Sequence, residues 1–179
     1  TKGEKQAEKL AQRLLKEKID VVYCSDLGRC KQTLEPYLKL NKVKTHYVKE
    51  LREKGHGIFD GKKTSEIEKY RKSERYGKWV IKNNINPTWY RRRFPRGESF
   101  QDLYKRASKF IDKLIKKENG KNVLIFTHGG TKRMIIIHLL KKNMKHFGKL
   151  HVPNTALSII NIKEDGNRRA RLLNNTNHL

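Results

Sequence analysis

Two short apolar runs each stop at a polar turn and pass directly into a helix, and this repetition constrains the fold more than any other feature of the chain. The first run is Val21-Val22-Tyr23-Cys24, followed by Ser25-Asp26-Leu27-Gly28-Arg29. The second is Val123-Leu124-Ile125-Phe126, followed by Thr127-His128-Gly129-Gly130. Runs this short, rich in β-branched and aromatic residues, read as buried strands. Helical patterns lie before and after each of them. Strands alternating with helices indicate an α/β sandwich.

The remaining segments fit that frame. Thr1 and Glu4 form a Thr-x-x-Glu capping box. Ala7, Leu10, Ala11, Leu14 and Leu15 follow at helical spacing, so a helix is expected to about Lys18. Ser25-Asp26 is expected to cap a second helix, limited by Pro36. Val43 to Val48 reads as a strand, and Gly55, Gly57 and Gly61 mark a loop. Residues 62–97 are polar, aromatic and basic, with helix expected near 64–82. Ser99 and Asp102 can cap a long helix with the apolar stripe Leu103, Ala107, Phe110, Ile111, Leu114 and Ile115. Asn119-Gly120 ends it. A helix is expected from Thr131 to about Lys142. Ala156–Ile162 and Arg169–Leu173 form a hairpin around Asp165-Gly166.

Composition narrows the class. The chain has 179 residues, 35% of them hydrophobic, which suffices for one buried core. Periodic apolar segments exclude a disordered chain. The longest nearly unbroken apolar run, Met134 to Leu140, is too short to span a bilayer. Cys24 and Cys30 make neither a disulfide framework nor a metal-ligand pair, and a reducing cytoplasm is the default location. The 43 Lys+Arg against 18 Asp+Glu give a net charge of +25. That excess is spread along the whole chain and suggests an anionic partner. Its densest cluster is Arg91, Arg92, Arg93 and Arg96 beside Trp89 and Tyr90. Such a cluster can grip single-stranded nucleic acid, clamp a phosphate, or form a solvated basic face.

The two strand-to-helix turns carry the chemistry. In open α/β sheets, ligands bind beyond the carboxyl ends of strands. Helix starts there offer free N–H groups and partial positive charge, which suit phosphate. Arg29 can fork two hydrogen bonds onto phosphoryl oxygens. His128 can donate to the same group, and Gly129 and Gly130 allow close backbone approach. Glu53, in Leu51-Arg52-Glu53 ahead of a Gly-rich loop, is a candidate general acid or base. Each has a plain alternative when taken alone: a simple turn, a surface ion pair, a solvated glutamate.

Taken in order, the motifs resemble those of the histidine phosphatase superfamily, also called the phosphoglycerate mutase-like family. The likeness runs through Lys2-Gly3 with Gln6-Ala7, then Tyr23 to Thr33. It continues in Leu51-Arg52-Glu53 with Gly57 and Phe59-Asp60-Gly61, and in Pro95-Arg96-Gly97-Glu98-Ser99. It ends in Thr127-His128-Gly129-Gly130 and Val152-Pro153-Asn154-Thr155-Ala156-Leu157-Ser158. Phe59-Asp60 stands where the family usually has Trp-Glu. The resemblance implies a three-layer α/β/α sandwich, phosphoglycerate mutase-like. It also implies one domain over 1–179, with a substrate-covering excursion at about 62–97.

The same resemblance implies a function and its residues. The expected activity is hydrolysis of a small phosphorylated metabolite through a phosphohistidine, with no cofactor and no metal. Glu53 and His128 would be catalytic. Arg29, His128 and Gly129 would bind phosphate. Arg91, Arg92, Arg93 and Asn154 are candidates for binding the rest of the substrate. A phosphoglycerate mutase is the alternative within the family, though the shortness of the 62–97 excursion favours a phosphatase. An inactive pseudoenzyme and a basic nucleic-acid-binding protein are the others. One family motif is missing: no Arg-His-Gly, the site of the phosphate-accepting histidine, occurs in these residues. The expectation is therefore a chain that lacks the family's first strand, one phosphate arginine and the nucleophile, truncated at its front and inactive by itself.

Overall fold

Thr1 opens the first helix, α1 (Lys2–Leu14), as its N-cap. Its hydroxyl accepts from the Glu4 N–H while the Glu4 side chain reaches back, completing the expected capping box. Ala7, Leu10, Ala11 and Leu14 bury one face of it. The helix stops at Leu14, short of Lys18. Bonds from Lys16 N–H to Arg13 O and from Glu17 N–H to Leu14 O tighten the chain there and turn it toward the sheet. The computed structural model describes residues 1–86 and 88–179. It divides them into two compact units, Thr1–Glu53 with Ala107–Leu179, and Lys54–Arg106.

The first unit is built on a parallel sheet. Strand β1 (Val21–Ser25) lies between β2 (Thr45–Val48) and β3 (Val123–Phe126), in the order β2-β1-β3. Tyr23 stands opposite His46 on one side and Ile125 on the other. Every residue of β1 is buried, as a central parallel strand covered on both faces requires. Leu10, Ala11 and Leu14 of α1 pack with Val22, Cys24 and Phe126 of the sheet. The next helix, α2 (Gly28–Leu40), adds Cys30, Leu34 and Tyr37 to the same core.

Two expectations fail at α2. Its N-cap is Leu27, which has no side-chain cap bond, because Ser25 and Asp26 are engaged elsewhere. Pro36 also lies inside the helix rather than at its end. Proline deletes one backbone bond, and the buried face of Cys30, Leu34 and Tyr37 carries the helix past it.

The second unit holds α3 (Thr64–Arg71) and α4 (Glu74–Lys82), as the sequence suggested near 64–82. Its interior is aromatic. The Phe59 and Phe94 rings lie 5.2 Å apart, Tyr76 and Phe94 5.5 Å, and Phe59 and Tyr70 4.7 Å. Gly57, at φ +62°, is obligatory: a Cβ there would lie 2.2 Å from the Pro95 carbonyl oxygen. The long helix α5 (Phe100–Lys117) starts in this unit. Ser99 and Asp102 cap it reciprocally, with Asp102 N–H to Ser99 Oγ at 3.1 Å and Ser99 N–H to the Asp102 carboxylate at 2.9 Å.

Within the first unit, α5 buries Ala107, Ile111 and Leu114, leaving Phe110 and Ile115 half-buried. Tyr23 of β1 donates to Glu118 just beyond α5 at 2.7 Å. Helix α6 (Gly129–Leu139) begins directly after β3, two residues before the expected Thr131. Strands β4 (Leu157–Ile162) and β5 (Arg168–Asn175) make the expected antiparallel hairpin. This hairpin is a sheet of its own, and β3 is an outer strand of the parallel sheet. Among the described residues no helix is long and apolar enough to cross a membrane.

Candidate active site

The sheet delivers both marked turns to one place. His128 is the N-cap of α6 and keeps only 8% of its surface exposed. Arg29 lies in the first turn of α2 and is exposed. Arg29 Nε donates to His128 Nδ1 at 3.0 Å. A guanidinium can only donate, so Nδ1 is the acceptor and the neutral ring carries its hydrogen on Nε2. That Nε2 lies 2.9 Å from Ser25 Oγ and 3.4 Å from Cys30 Sγ.

Glu53 reaches the same corner from the third loop. Its carboxylate accepts from the Gly130 N–H at 2.8 Å and lies 3.4 Å from Thr131 Oγ1. A Cβ at Gly130 would lie 2.5 Å from Glu53 Oε1, so close backbone approach is needed here, and a carboxylate fills it. At Gly129 a Cβ would meet nothing within 4 Å, and that side of the helix start is open. A negative group at a helix start is favoured by the orphan N–H groups and the macrodipole.

Three further contacts fix the Glu53 loop. Arg52 makes paired bonds of 2.6 Å to both Asp26 carboxylate oxygens, strapping it to the turn after β1. These bonds hold the Asp26 carboxyl below the usual carboxylate range. Thr127 Oγ1 and Thr131 Oγ1 donate to the carbonyls of Leu51 and Arg52 at 2.7 and 2.8 Å, strapping it to the turn after β3.

Arg29, Glu53, His128 and Gly129 therefore converge at the carboxyl ends of β1 and β3. Asn154 lies exposed in the turn before β4, where its carbonyl accepts from Thr155 Oγ1 at 2.7 Å. Arg91, Arg92 and Arg93 belong to the second unit. The Arg91 guanidinium stands 5.5 Å from the Tyr90 ring centre, Arg93 lies 4.0 Å from the Asp102 carboxylate, and Arg92 N–H bonds the Thr88 carbonyl at 2.9 Å. The sequence does not single out Ser25, Asp26 or Cys30 for the site. Ser25 and Asp26 read as caps of α2, but they turn instead to His128 and Arg52. Cys30 has one signal, its place directly after Arg29. No group of three or more His, Cys, Asp or Glu among the described residues is arranged to hold a metal ion.

An exposed guanidinium, an imidazole and a helix start at one corner make an anion site, and the carboxylate beside them can move a proton. The model of the histidine phosphatase superfamily (branch 1) matches residues 1–176. This chain belongs to the histidine phosphatase superfamily. Among its relatives, a broad-specificity phosphatase of Saccharomyces cerevisiae is 32% identical over 99% of this chain and 74% of its own length. Phosphoserine phosphatase 1 of Hydrogenobacter thermophilus is 31% identical over 99% of this chain and 81% of its own. A 2,3-bisphosphoglycerate-dependent phosphoglycerate mutase of Methanococcus vannielii is 29% identical, covering 97% and 84%. The alpha-ribazole phosphatase of Shigella flexneri shares the fold at a TM-score of 0.82 and 24% identity, covering 98% of this chain and 83% of that one. The histidine phosphatase fold thus accounts for the mixed α/β architecture, with its helices flanking a parallel sheet.

Proposed function

We propose that this corner binds the phosphoryl group of a small phosphomonoester, and that the protein's chemistry is hydrolysis through a phosphohistidine. The observation that carries the reading is the Arg29 Nε to His128 Nδ1 hydrogen bond at 3.0 Å, where the two strand-to-helix turns meet. An entering phosphoryl group takes the donor that Arg29 now spends on His128 and the one that His128 now spends on Ser25. Arg29 then forks onto two phosphoryl oxygens, and His128 holds a third. As negative charge builds on those oxygens in the transition state, preorganised donors stabilise it. Glu53 protonates the leaving oxygen and later activates water. The accepting histidine is not supplied by these residues, which contain no Arg-His-Gly. Residues 1–179 alone therefore bind phosphate without turning substrate over.

Hydrolysis is preferred to the mutase reaction because the relatives above 30% identity carry phosphatase names. Those names also support a small phosphorylated metabolite as substrate. Arg91, Arg92 and Arg93 are assigned to a second anionic group of that substrate, and Asn154 to its uncharged part. The decisive experiment titrates residues 1–179 with inorganic phosphate by calorimetry and assays p-nitrophenyl phosphate in parallel. The expected result is binding that weakens at least tenfold, the loss of one charge-assisted hydrogen bond, in Arg29→Ala and His128→Ala. Turnover that survives His128→Ala, or phosphate binding indifferent to both changes, removes the reading.

A further inference from the structure

The phosphate corner uses a small share of the chain's positive charge, and the second unit holds a large part of the rest. Lys54–Arg106 carries 15 Lys and Arg against six Asp and Glu. Most of those carboxylates are taken. Glu68, Glu74 and Glu98 pair with Arg71, Lys78 and Arg106, and Asp102 caps α5 beside Arg93. Among the described residues no carboxylate lies within 4.0 Å of Arg91, Arg92 or Arg96, and Arg91 and Arg96 are exposed. These guanidiniums are left to anions from outside the chain.

The same segment carries an aromatic surface. Trp89 keeps 42% of its surface exposed. Its ring centre lies 5.6 Å from that of Tyr90 and 5.7 Å from that of Phe100, at interplanar angles of 77° and 58°. Both neighbours therefore brace the indole at a tilt instead of lying flat on it. Cations flank the group. The Arg91 guanidinium stands 5.5 Å from the Tyr90 ring centre, and the Lys54 ammonium 5.4 Å from that of Phe100. The backbone holds this arrangement in place. The Arg91 and Arg92 N–H groups both donate to the Thr88 carbonyl at 2.9 Å, and the Tyr90 carbonyl accepts from the Gln101 N–H of α5 at 2.8 Å. A surface fixed before binding has less order to lose when a ligand arrives.

We propose that Trp89, Tyr90 and Phe100, together with Arg91, Arg92 and Arg96, bind single-stranded nucleic acid. A base stacks on the exposed indole while the guanidiniums hold neighbouring backbone phosphates. The rings decide between polyanions. A duplex keeps its bases stacked on one another and offers phosphate alone, and inorganic polyphosphate has no base to stack. A merely solvated basic face has no use for an exposed tryptophan in its midst. The proposal does not rest on the phosphate-site reading. It shares Arg91 and Arg92 with the second anionic group assigned to the substrate, and the two anions take them in turn.

The test titrates residues 1–179 into a fluorescein-labelled single strand of about 12 nucleotides without terminal phosphates. Its duplex and inorganic polyphosphate are compared with it at one salt concentration. The single strand is expected to bind about tenfold tighter than either, or more, since only it gains stacking. Trp89→Ala should weaken the single strand roughly 5- to 150-fold, the worth of one stacked base, and leave polyphosphate and inorganic phosphate where they were. Trp89→Phe keeps a ring and should recover most of the loss. Arg91→Ala should weaken the single strand and polyphosphate alike, and should flatten the slope of log affinity against log salt by about 0.7 for the single strand. Trp79, half-buried and stacked on Tyr76, is the other of the two tryptophans. In Trp79→Phe the indole emission comes from Trp89 alone, and the single strand should quench it where polyphosphate does not. That readout stands even if Trp89→Ala fails to fold. Three results overturn the proposal: a single strand bound no tighter than duplex and polyphosphate, a folded Trp89→Ala that binds it like wild type, or no quenching in Trp79→Phe. A protein that takes the single strand but no inorganic phosphate overturns the phosphate-site reading and supports this one.

Discussion

The turn from β1 into α2 and the turn from β3 into α6 are built alike and finished differently. Both leave a parallel strand and enter a helix within a few residues. At the first, the good capping residues are spent on other partners: Ser25 on His128 and Asp26 on Arg52. Leu27 then occupies the N-cap without a side-chain bond. At the second, His128 occupies the N-cap, and the Glu53 carboxylate sits on the Gly130 N–H. One helix start thus presents a cation, and the other an imidazole and an acid. Phosphoryl chemistry needs that division, because charge must be held on one side while a proton is delivered on the other.

Removing the cation breaks the comparison most severely. Arg29→Ala deletes a forked contact whose net worth is set at that of one charge-assisted bond, about 1.5–3 kcal/mol, so phosphate affinity is expected to fall roughly 10- to 150-fold. Arg29 is exposed, so stability should change by less than about 0.5 kcal/mol. Arg29→Lys should recover only part of the affinity, since an ammonium cannot fork. Calorimetry with inorganic phosphate, beside thermal melts, separates the two effects. A large fall in melting temperature would mean that Arg29 braces the fold.

Removing the acid sharpens the contrast. Glu53→Ala strips the start of α6 of its carboxylate and is expected to cost about 1 kcal/mol of stability, as lost caps do. Phosphate affinity should hold or rise, because a negative charge has left the corner. A fall like that of Arg29→Ala would show that the two turns do not divide the work. Gly130→Ala probes the same contact from the backbone. Its Cβ would meet Glu53 Oε1 at 2.5 Å, so the variant is expected to lose part of what Glu53→Ala loses. In the Glu53→Ala background that clash is gone, and alanine's better helix propensity should make the change stabilising by up to about 1 kcal/mol. Denaturant melts of the double-mutant cycle read that change of sign.

Where the candidate-site residues lie is largely legible in the sequence, and the reason is local. Arg29, Glu53, His128 and Gly129 each sit in a turn whose position follows from an adjacent apolar run, so reading the runs places the residues. The misreadings are where a side chain had a distant competitor. Ser25 and Asp26 look like caps because capping is a short-range pattern. His128 and Arg52 claim them from 103 and 26 residues away, which no local pattern reveals. Pro36 failed as a stop for the related reason that core packing of α2 overrode a local preference. The contact of Cys30 with His128 is invisible in the sequence because cysteine spacing says nothing about a histidine 98 residues on.

The smallest expected effect concerns the far side of α6. Lys132 donates to the Ala156 carbonyl at 2.6 Å, and burial pushes its ammonium down to about 8. An unfolded lysine holds its proton to about 10.4. Between those two values the unfolded chain binds more protons, so this group makes stability rise with pH there. Below about 8 both states are charged, and the folded state bears the full cost of the buried ammonium. Lys132→Met removes the charge while keeping the stem's bulk. The melting temperature of the variant relative to wild type should therefore stand highest near pH 7 and decline steadily toward pH 10. Tyr23, raised by burial and then by its bond to Glu118, and Lys117 and Lys121, raised by their partners, titrate in both proteins alike and cancel in that difference. A difference flat in pH would mean that water reaches the Lys132 ammonium.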